Sequence, residues 1–342
     1  MISALIVFLG LFFLIIIHEL GHFWAAKYFG VWVEEFGFGF PPRILKKKIG
    51  ETIYSLNWLP FGGFVRLHGE MASLPAGRDL PADAKDGFDT RSFICQKPWK
   101  KIIVVIAGVV MNFLAGWIII STVFWIGTPS LIFIDSVSKN SSAELVGLRA
   151  GDLIEGWQEV TELVKFINDN RGGEVILNIN RDGNNLDVKV IPRIEVPVGE
   201  GALGITLHGG GLPRQSFFSG LYNGLIMSWK IAVSVVLGIY QLFLSPQNVV
   251  GPVGIFNIAV NTGKAGLVYV LQLLGLISIN LAVLNILPIP ALDGGRLLFI
   301  IIEKLRDKPF SRKVEIRANA ISFIILIILI ILVTFKDISA LL

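Results

Sequence analysis

Long apolar runs dominate the pattern of this chain, with little of the alternation expected of amphipathic helices or half-buried strands. Nearly uncharged stretches occupy 2–29, 102–126, 267–287 and 321–333. A helix needs about 20 apolar residues to cross a hydrocarbon core of about 30 Å, so these four predict transmembrane spans. A fifth stretch, 217–244, is interrupted by Gly220, Gly224, Lys230 and Gly238. Between the spans lie two regions of different character, 30–101 and 128–195.

The first of these regions divides again. Residues 30–68 hold the Gly/Phe segment Phe36-Gly37-Phe38-Gly39 and two β-rich runs, 52–58 and 64–67, separated by Pro60-Phe61-Gly62-Gly63. That pattern predicts a membrane-associated β-hairpin. Residues 69–101 are polar and read as a loop. In 128–195, runs at 131–134, 175–179 and 186–191 have strand composition. Arg181-Asp182-Gly183-Asn184 supplies a tight turn and 160–168 reads as a helix. The expectation is a small α/β module.

Composition agrees. Of 342 residues 53% are hydrophobic and 16% charged, which sets aside an ordinary soluble enzyme. The net charge of +4 gathers in clusters, Lys46-Lys47-Lys48 and Lys97 with Lys100-Lys101, beside apolar spans. Such clusters report orientation in a lipid bilayer rather than nucleic acid. They put 30–100 in the cytoplasm and 128–215 outside. The basic segment 304–313 also belongs inside, so the span ending near Leu287 runs inward. A full crossing at 217–244 would reverse that, and the region 196–264 is therefore read as extracytoplasmic, with an amphipathic or re-entrant helix. The first run lacks a basic leader and a small-residue cleavage site, and is read as a retained span. The single cysteine, Cys95, excludes an intrachain disulfide and a thiolate metal site.

Chemistry enters at His18-Glu19-Leu20-Gly21-His22, an H-E-x-x-H sequence within the first span. Residues four apart share a helical face, so His18 and His22 can hold one Zn²⁺ while Glu19 reaches a water on the metal. A carboxylate in a span costs about 2.5 kcal/mol or more, which makes a purely structural role a poor explanation. A hydrolytic zinc site has three protein ligands and one open position. His68, His208 and the membrane-proximal carboxylates are the candidates for the third. Asp293 stands out: it follows a segment broken by Pro288 and Pro290, precedes Gly294-Gly295, and emerges on the same membrane side as the histidines.

Together, His18-Glu19-Leu20-Gly21-His22 and Leu284-Asn285-Ile286-Leu287-Pro288-Ile289-Pro290-Ala291-Leu292-Asp293-Gly294 resemble the two signature motifs of the site-2 protease family of zinc intramembrane proteases. Three further stretches resemble family elements: Phe36-Gly37-Phe38-Gly39, Gly108-Val109-Val110-Met111-Asn112-Phe113 and Gly251-Pro252-Val253-Gly254-Ile255. Gly147-Leu148-Arg149-Ala150-Gly151-Asp152-Leu153-Ile154 resembles a segment of its PDZ domains. The bacterial regulator-of-sigma-E type is the best match.

The resemblance implies a polytopic α-helical membrane protein with four transmembrane helices, a cytoplasmic-side β-hairpin and one extracytoplasmic PDZ-like α/β domain. Its divisions are 1–29, 30–68, 69–101, 102–127, 128–195, 196–264, 265–303 (third span with the Asn/Asp motif) and 304–342. It implies Zn²⁺ held by His18, His22 and Asp293, Glu19 as proton acceptor, and Asn285 at the substrate backbone or oxyanion. The expected site faces the cytoplasm across a bacterial inner membrane. Expected partners are single-span substrates such as anti-sigma factors or remnant signal peptides, with a peptide as possible ligand of the PDZ-like domain. The alternatives are a pseudoprotease or chaperone that binds spans without cutting them, and a metal sensor or transporter. Two departures stand out: many bacterial members carry two PDZ domains, and no Gly-Leu-Gly-Phe-like loop precedes Leu131.

Overall fold

The computed structural model describes residues 2–70, 90–128, 131–157, 159–181, 184–197, 199–244, 254, 266–306 and 310–341. Two compact units emerge, one from 1–122 with 221–342 and the other from 123–220.

The first unit is built on helices α1 (Ile2–Tyr28), α2 (Pro98–Ile126), α5 (Phe217–Leu244), α6 (Leu267–Ile286), α7 (Asp293–Arg306) and α8 (Arg312–Leu341). Five of these, all but α7, are long and apolar enough to cross a membrane. Small residues set the close contacts, as is usual where lipid removes the hydrophobic drive between helices. A Cβ on Gly21 would lie 2.4 Å from the Ala107 carbonyl oxygen, and one on Gly116 would lie 2.6 Å from Ile279. Gly10 abuts Leu274, and Val7 shares a buried cluster with Val270 and Leu274. These pairings make α1 and α6 parallel and α2 antiparallel to both, so the C-terminal ends of α1 and α6 meet the first half of α2.

Helix α5 covers 217–244, the segment expected to be an amphipathic or re-entrant helix. Its glycines do not break it; Gly224 closes onto Ser121 of α2, and the Trp117 indole donates to the Leu221 carbonyl at 2.9 Å. Ser228 Oγ donates to the Gly224 carbonyl at 2.8 Å and is fully buried. Gly224 is thus a contact point against a span, whereas Gly238 faces open space, and length alone does not separate α5 from the four expected crossings. The expected family element at 251–255 lies outside the described residues except for Gly254.

Against α1 lies a small sheet formed by β1 (Val33–Ile49) and β2 (Thr52–Leu67). Its pairing corrects the expected hairpin. The runs 52–58 and 64–67 do not pair with each other. Both flank the first part of β1: Phe36 faces Tyr54 on one side and Val65 on the other, and Gly37 faces Ser55 and Phe64. The second part of β1 then pairs antiparallel with 52–57, from Ile49↔Thr52 to Arg43↔Asn57, so the turn is at Gly50-Glu51. Alternation explains why the Gly/Phe segment is a strand. Phe38 packs on Phe12 at 3.8 Å between ring centroids and Phe36 on Phe23 at 5.4 Å, while Gly37 leaves the opposite face open for the Phe64 ring. Within the sheet, buried Glu35 accepts hydrogen bonds from Ser55 and Arg43, each at 2.7 Å. The outer edge is 63–67, along which no described strand runs.

The second unit is a five-stranded antiparallel sheet in the order β6-β5-β4-β3-β7, with two helices. Its elements are β3 (Leu131–Val137), α3 (Ser142–Leu145), β4 (Leu153–Ile154), α4 (Val160–Asp169), β5 (Val175–Arg181), β6 (Asn184–Val190) and β7 (Ile205–Gly210). Ile132, Ile134, Leu163, Leu177, Ile179 and Leu203 form the core. The sheet extends past the expected boundary at 195, because β7 pairs with β3. Asp152 fastens one end through two 2.7 Å bonds from Arg181 and one of 2.8 Å from the Arg149 N–H. Burial pushes the Asp152 carboxyl up, but these bonds and the adjacent guanidinium charges outweigh it and hold the group below the usual carboxylate range.

Candidate metal centre

Helix α1 carries His18 and His22 one turn apart, with Glu19 beside them, and antiparallel α2 closes over the pair at Gly108. A Cβ at Gly108 would lie 2.4 Å from His22 Nε2, so only glycine lets the two helices meet with both rings between them.

The third group arrives on an irregular path. Helix α6 stops at Ile286, where Pro288 and Pro290 end regular hydrogen bonding, and α7 begins at Asp293. Between them Ala291 has φ of 75°, and its N–H is held by Asn319 Oδ1 of α8 at 3.1 Å. Gly294 and Gly295 fold tightly back on the break. Their Cβ positions would come within 2.0 Å of the Leu287 carbonyl oxygen and 2.4 Å of that of Ile289. This compaction aims Asp293 back at the α1 face.

Three ligand atoms converge there. Asp293 Oδ2 is 3.0 Å from His18 Nε2 and 3.2 Å from His22 Nε2, and the two Nε2 atoms are 3.2 Å apart. Among the described residues this is the cluster of metal-ligating side chains that stands out. His22 donates its Nδ1–H to the Val104 carbonyl at 2.8 Å, which leaves its Nε2 as a lone-pair donor aimed at the other two atoms. Lone pairs facing one another at such distances suit a shared cation. Zinc–ligand bonds of about 2.0–2.1 Å at tetrahedral angles put ligand atoms about 3.3 Å apart, which the triangle fits closely.

The cluster opens into a cavity of about 420 Å³. Glu19 lines it, close enough to the edge strand that a Cβ on Gly63 would lie 2.9 Å from its Cγ. Phe64, Val65 and Leu67 of the same strand form one wall, and Ala291, Leu292, Arg296 and Asn319 another. Arg296 pairs with Glu70.

Of the residues singled out from the sequence, His18, Glu19, His22 and Asp293 come together. Asn285 occupies the last turn of α6, half-buried, and is not among the residues lining the cavity. His68 is engaged elsewhere, with Nδ1 2.7 Å from Glu34 and its ring on Trp32, and His208 is exposed on β7 of the second unit. Sequence reasoning missed Gly63, Arg296 and Asn319. Only Arg296, one turn after Asp293, left a signal that helical spacing could have caught.

Comparison with known proteins agrees with this geometry. Residues 6–329 match peptidase family M50. The zinc metalloprotease RasP of Shouchella clausii is 30% identical, with 99% of each chain covered. The regulator of sigma-W protease RasP of Bacillus subtilis is 28% identical with the same coverage, and the zinc metalloprotease RasP of Geobacillus kaustophilus 29% identical, covering 99% of this chain and 97% of that one. A match spanning nearly the whole of the chain, with the three candidate ligand atoms converged, leaves one conclusion: this multi-pass membrane protein is a zinc metalloendopeptidase belonging to peptidase family M50, the site-2 proteases.

Proposed function

We propose that this enzyme hydrolyses peptide bonds within the transmembrane segments of single-span proteins, using zinc held by His18, His22 and Asp293. The observation that carries the reading is the convergence of three ligand atoms within 4.8 Å, beside a carboxylate and an open strand edge. Zinc supplies polarisation of the scissile carbonyl and brings the pKa of water toward about 7. Glu19 accepts the proton of the attacking water and delivers it to the leaving amine. Asn285 is assigned the substrate backbone or the developing oxyanion, by resemblance; it requires the substrate to reach past the break at 287–292.

A helical segment hides its carbonyls in the i to i−4 ladder and must be unwound before attack. The 63–67 edge supports that step, since an extended substrate can pair with it while lying across the cavity. In the second unit, edge strand β7 lies beside α4, with Gly209 against Val160, and is preceded by Gly201-Ala202-Leu203-Gly204. This glycine-bearing loop suits addition of a peptide C-terminus. The basic clusters favour a bacterial inner membrane orientation with the zinc site toward the cytoplasm and the second unit outside. The parity of charges favours α5 as an amphipathic or re-entrant helix on the outer face. Substrates of the anti-sigma-factor class suit this reading, in line with a relative named for sigma-W regulation.

Cleavage of a model single-span substrate by the purified protein tests it. The wild type is expected to cut, a zinc chelator to abolish cutting, and Glu19→Gln to keep zinc while losing at least about 100-fold in rate. A zinc-loaded wild type that binds spans but never cuts them would establish the pseudoprotease instead.

A further inference from the structure

Helix α2 presents to the two imidazoles a stripe of positions four apart: Val104, Gly108 and Asn112. The first takes the Nδ1–H of His22 and the second makes room for both rings. Asn112 is 1% exposed, and its amide Nδ2 lies 3.3 Å from His18 Nδ1. Its Oδ1 is buried with no hydrogen-bond partner among the described residues. Ser278 Oγ of α6 donates to the Asn112 carbonyl at 2.7 Å, which pins this turn of α2 in place.

With Nδ2 toward the ring, His18 Nδ1 must be the acceptor, and the proton of the neutral imidazole then sits on Nε2. That is the atom 3.0 Å from Asp293 Oδ2, where a zinc ligand must offer a lone pair. A half-turn of the amide exchanges Nδ2 for Oδ1. The same contact then accepts Nδ1–H and leaves Nε2 free, as the Val104 carbonyl does for His22.

We propose that Asn112 is a positioning residue whose Oδ1 accepts the Nδ1–H of His18, fixing the tautomer and ring orientation in which Nε2 faces the metal. The two histidines are then held by one helix in the same way, one by backbone and one by side chain. This rests on the assignment of His18, His22 and Asp293 as ligands.

The test is zinc affinity of the full chain in detergent, without substrate, by competition against chelators of graded strength, with thermal unfolding followed in parallel. Asn112→Leu, which keeps bulk but removes the acceptor, is expected to bind zinc about 10–100-fold more weakly. Asn112→Asp, whose carboxylate accepts in either orientation, is expected to stay within about threefold of wild type or to bind more tightly. Wild-type affinity in Asn112→Leu overturns the proposal. So does a loss in Asn112→Asp of about tenfold or more, because a packing or donor role predicts it. If Asn112→Leu does not fold, Asn112→Asp decides by the same threshold. His18→Ala serves as the control for the ligand assignment: undiminished zinc affinity there overturns that assignment, independently of Asn112.

Discussion

The two halves of the metal centre are built by opposite means. His18 and His22 sit on an uninterrupted helix, where periodicity alone puts them on one face. Asp293 is delivered by a helix break that includes two prolines, a residue at positive φ and two glycines folded against carbonyl oxygens. Regular structure makes the first half robust to most substitutions outside the contact face. The second depends on every residue of a short irregular segment, because its backbone is held by side-chain and carbonyl contacts rather than by a ladder.

The sharpest way to break the comparison is to remove one ligand from the irregular half. Asp293→Ala is expected to weaken zinc binding by more than about 100-fold, as measured by chelator competition. Unchanged zinc affinity in that competition would remove Asp293 from the ligand set. Next come the glycines that let each half close. Gly108→Ala drives a methyl into the His22 ring, the end of a side chain that can shift, and should cost about 10–100-fold in zinc affinity with a smaller fall in unfolding temperature than at Gly295. Gly295→Ala meets the Ile289 carbonyl oxygen, so it should lower both, by about 1–3 kcal/mol in stability. If the two variants lost stability equally, the contrast between a framed site and a strained one would fail.

The smallest effect is expected at Ala291. Ala291→Gly relieves an unfavourable φ but frees the unfolded chain, so stability should move by less than about 0.5 kcal/mol. Ala291→Val, branched at Cβ, should destabilise by about 1–2 kcal/mol at the same φ. Equal melting temperatures for the two would show that this position tolerates ordinary backbone geometry.

The same contrast sorts what could be read from the sequence. His18, Glu19 and His22 were legible because spacing within one helix fixes which side chains share a face. Asp293 was legible through its composition, since prolines and glycines at the end of a span mark broken backbone, and through its emergence on the same membrane side as the histidines. Pairing across the sheet was not legible. The Phe-Gly alternation at 36–39 carries strand periodicity, yet nothing local says that 52–56 and 63–67 both lie beside it. Strand β7 escaped because much of it is exposed, and an edge with little buried area leaves a weak hydrophobic signature. Gly220 and Gly224 of α5 interrupt the apolar pattern, yet in the fold they are contacts. Composition cannot distinguish the two, because the outcome depends on a neighbour about 100 positions away.

One consequence follows from the distance along the chain between the imidazoles and the carboxylate that completes their site. Domains are built as the polypeptide emerges, amino end first. For most of its synthesis the nascent chain therefore carries a histidine pair without its acidic companion. A zinc site that needs Asp293 would be completed only after the ribosome has translated past that residue, when every helix through α6 has already been made.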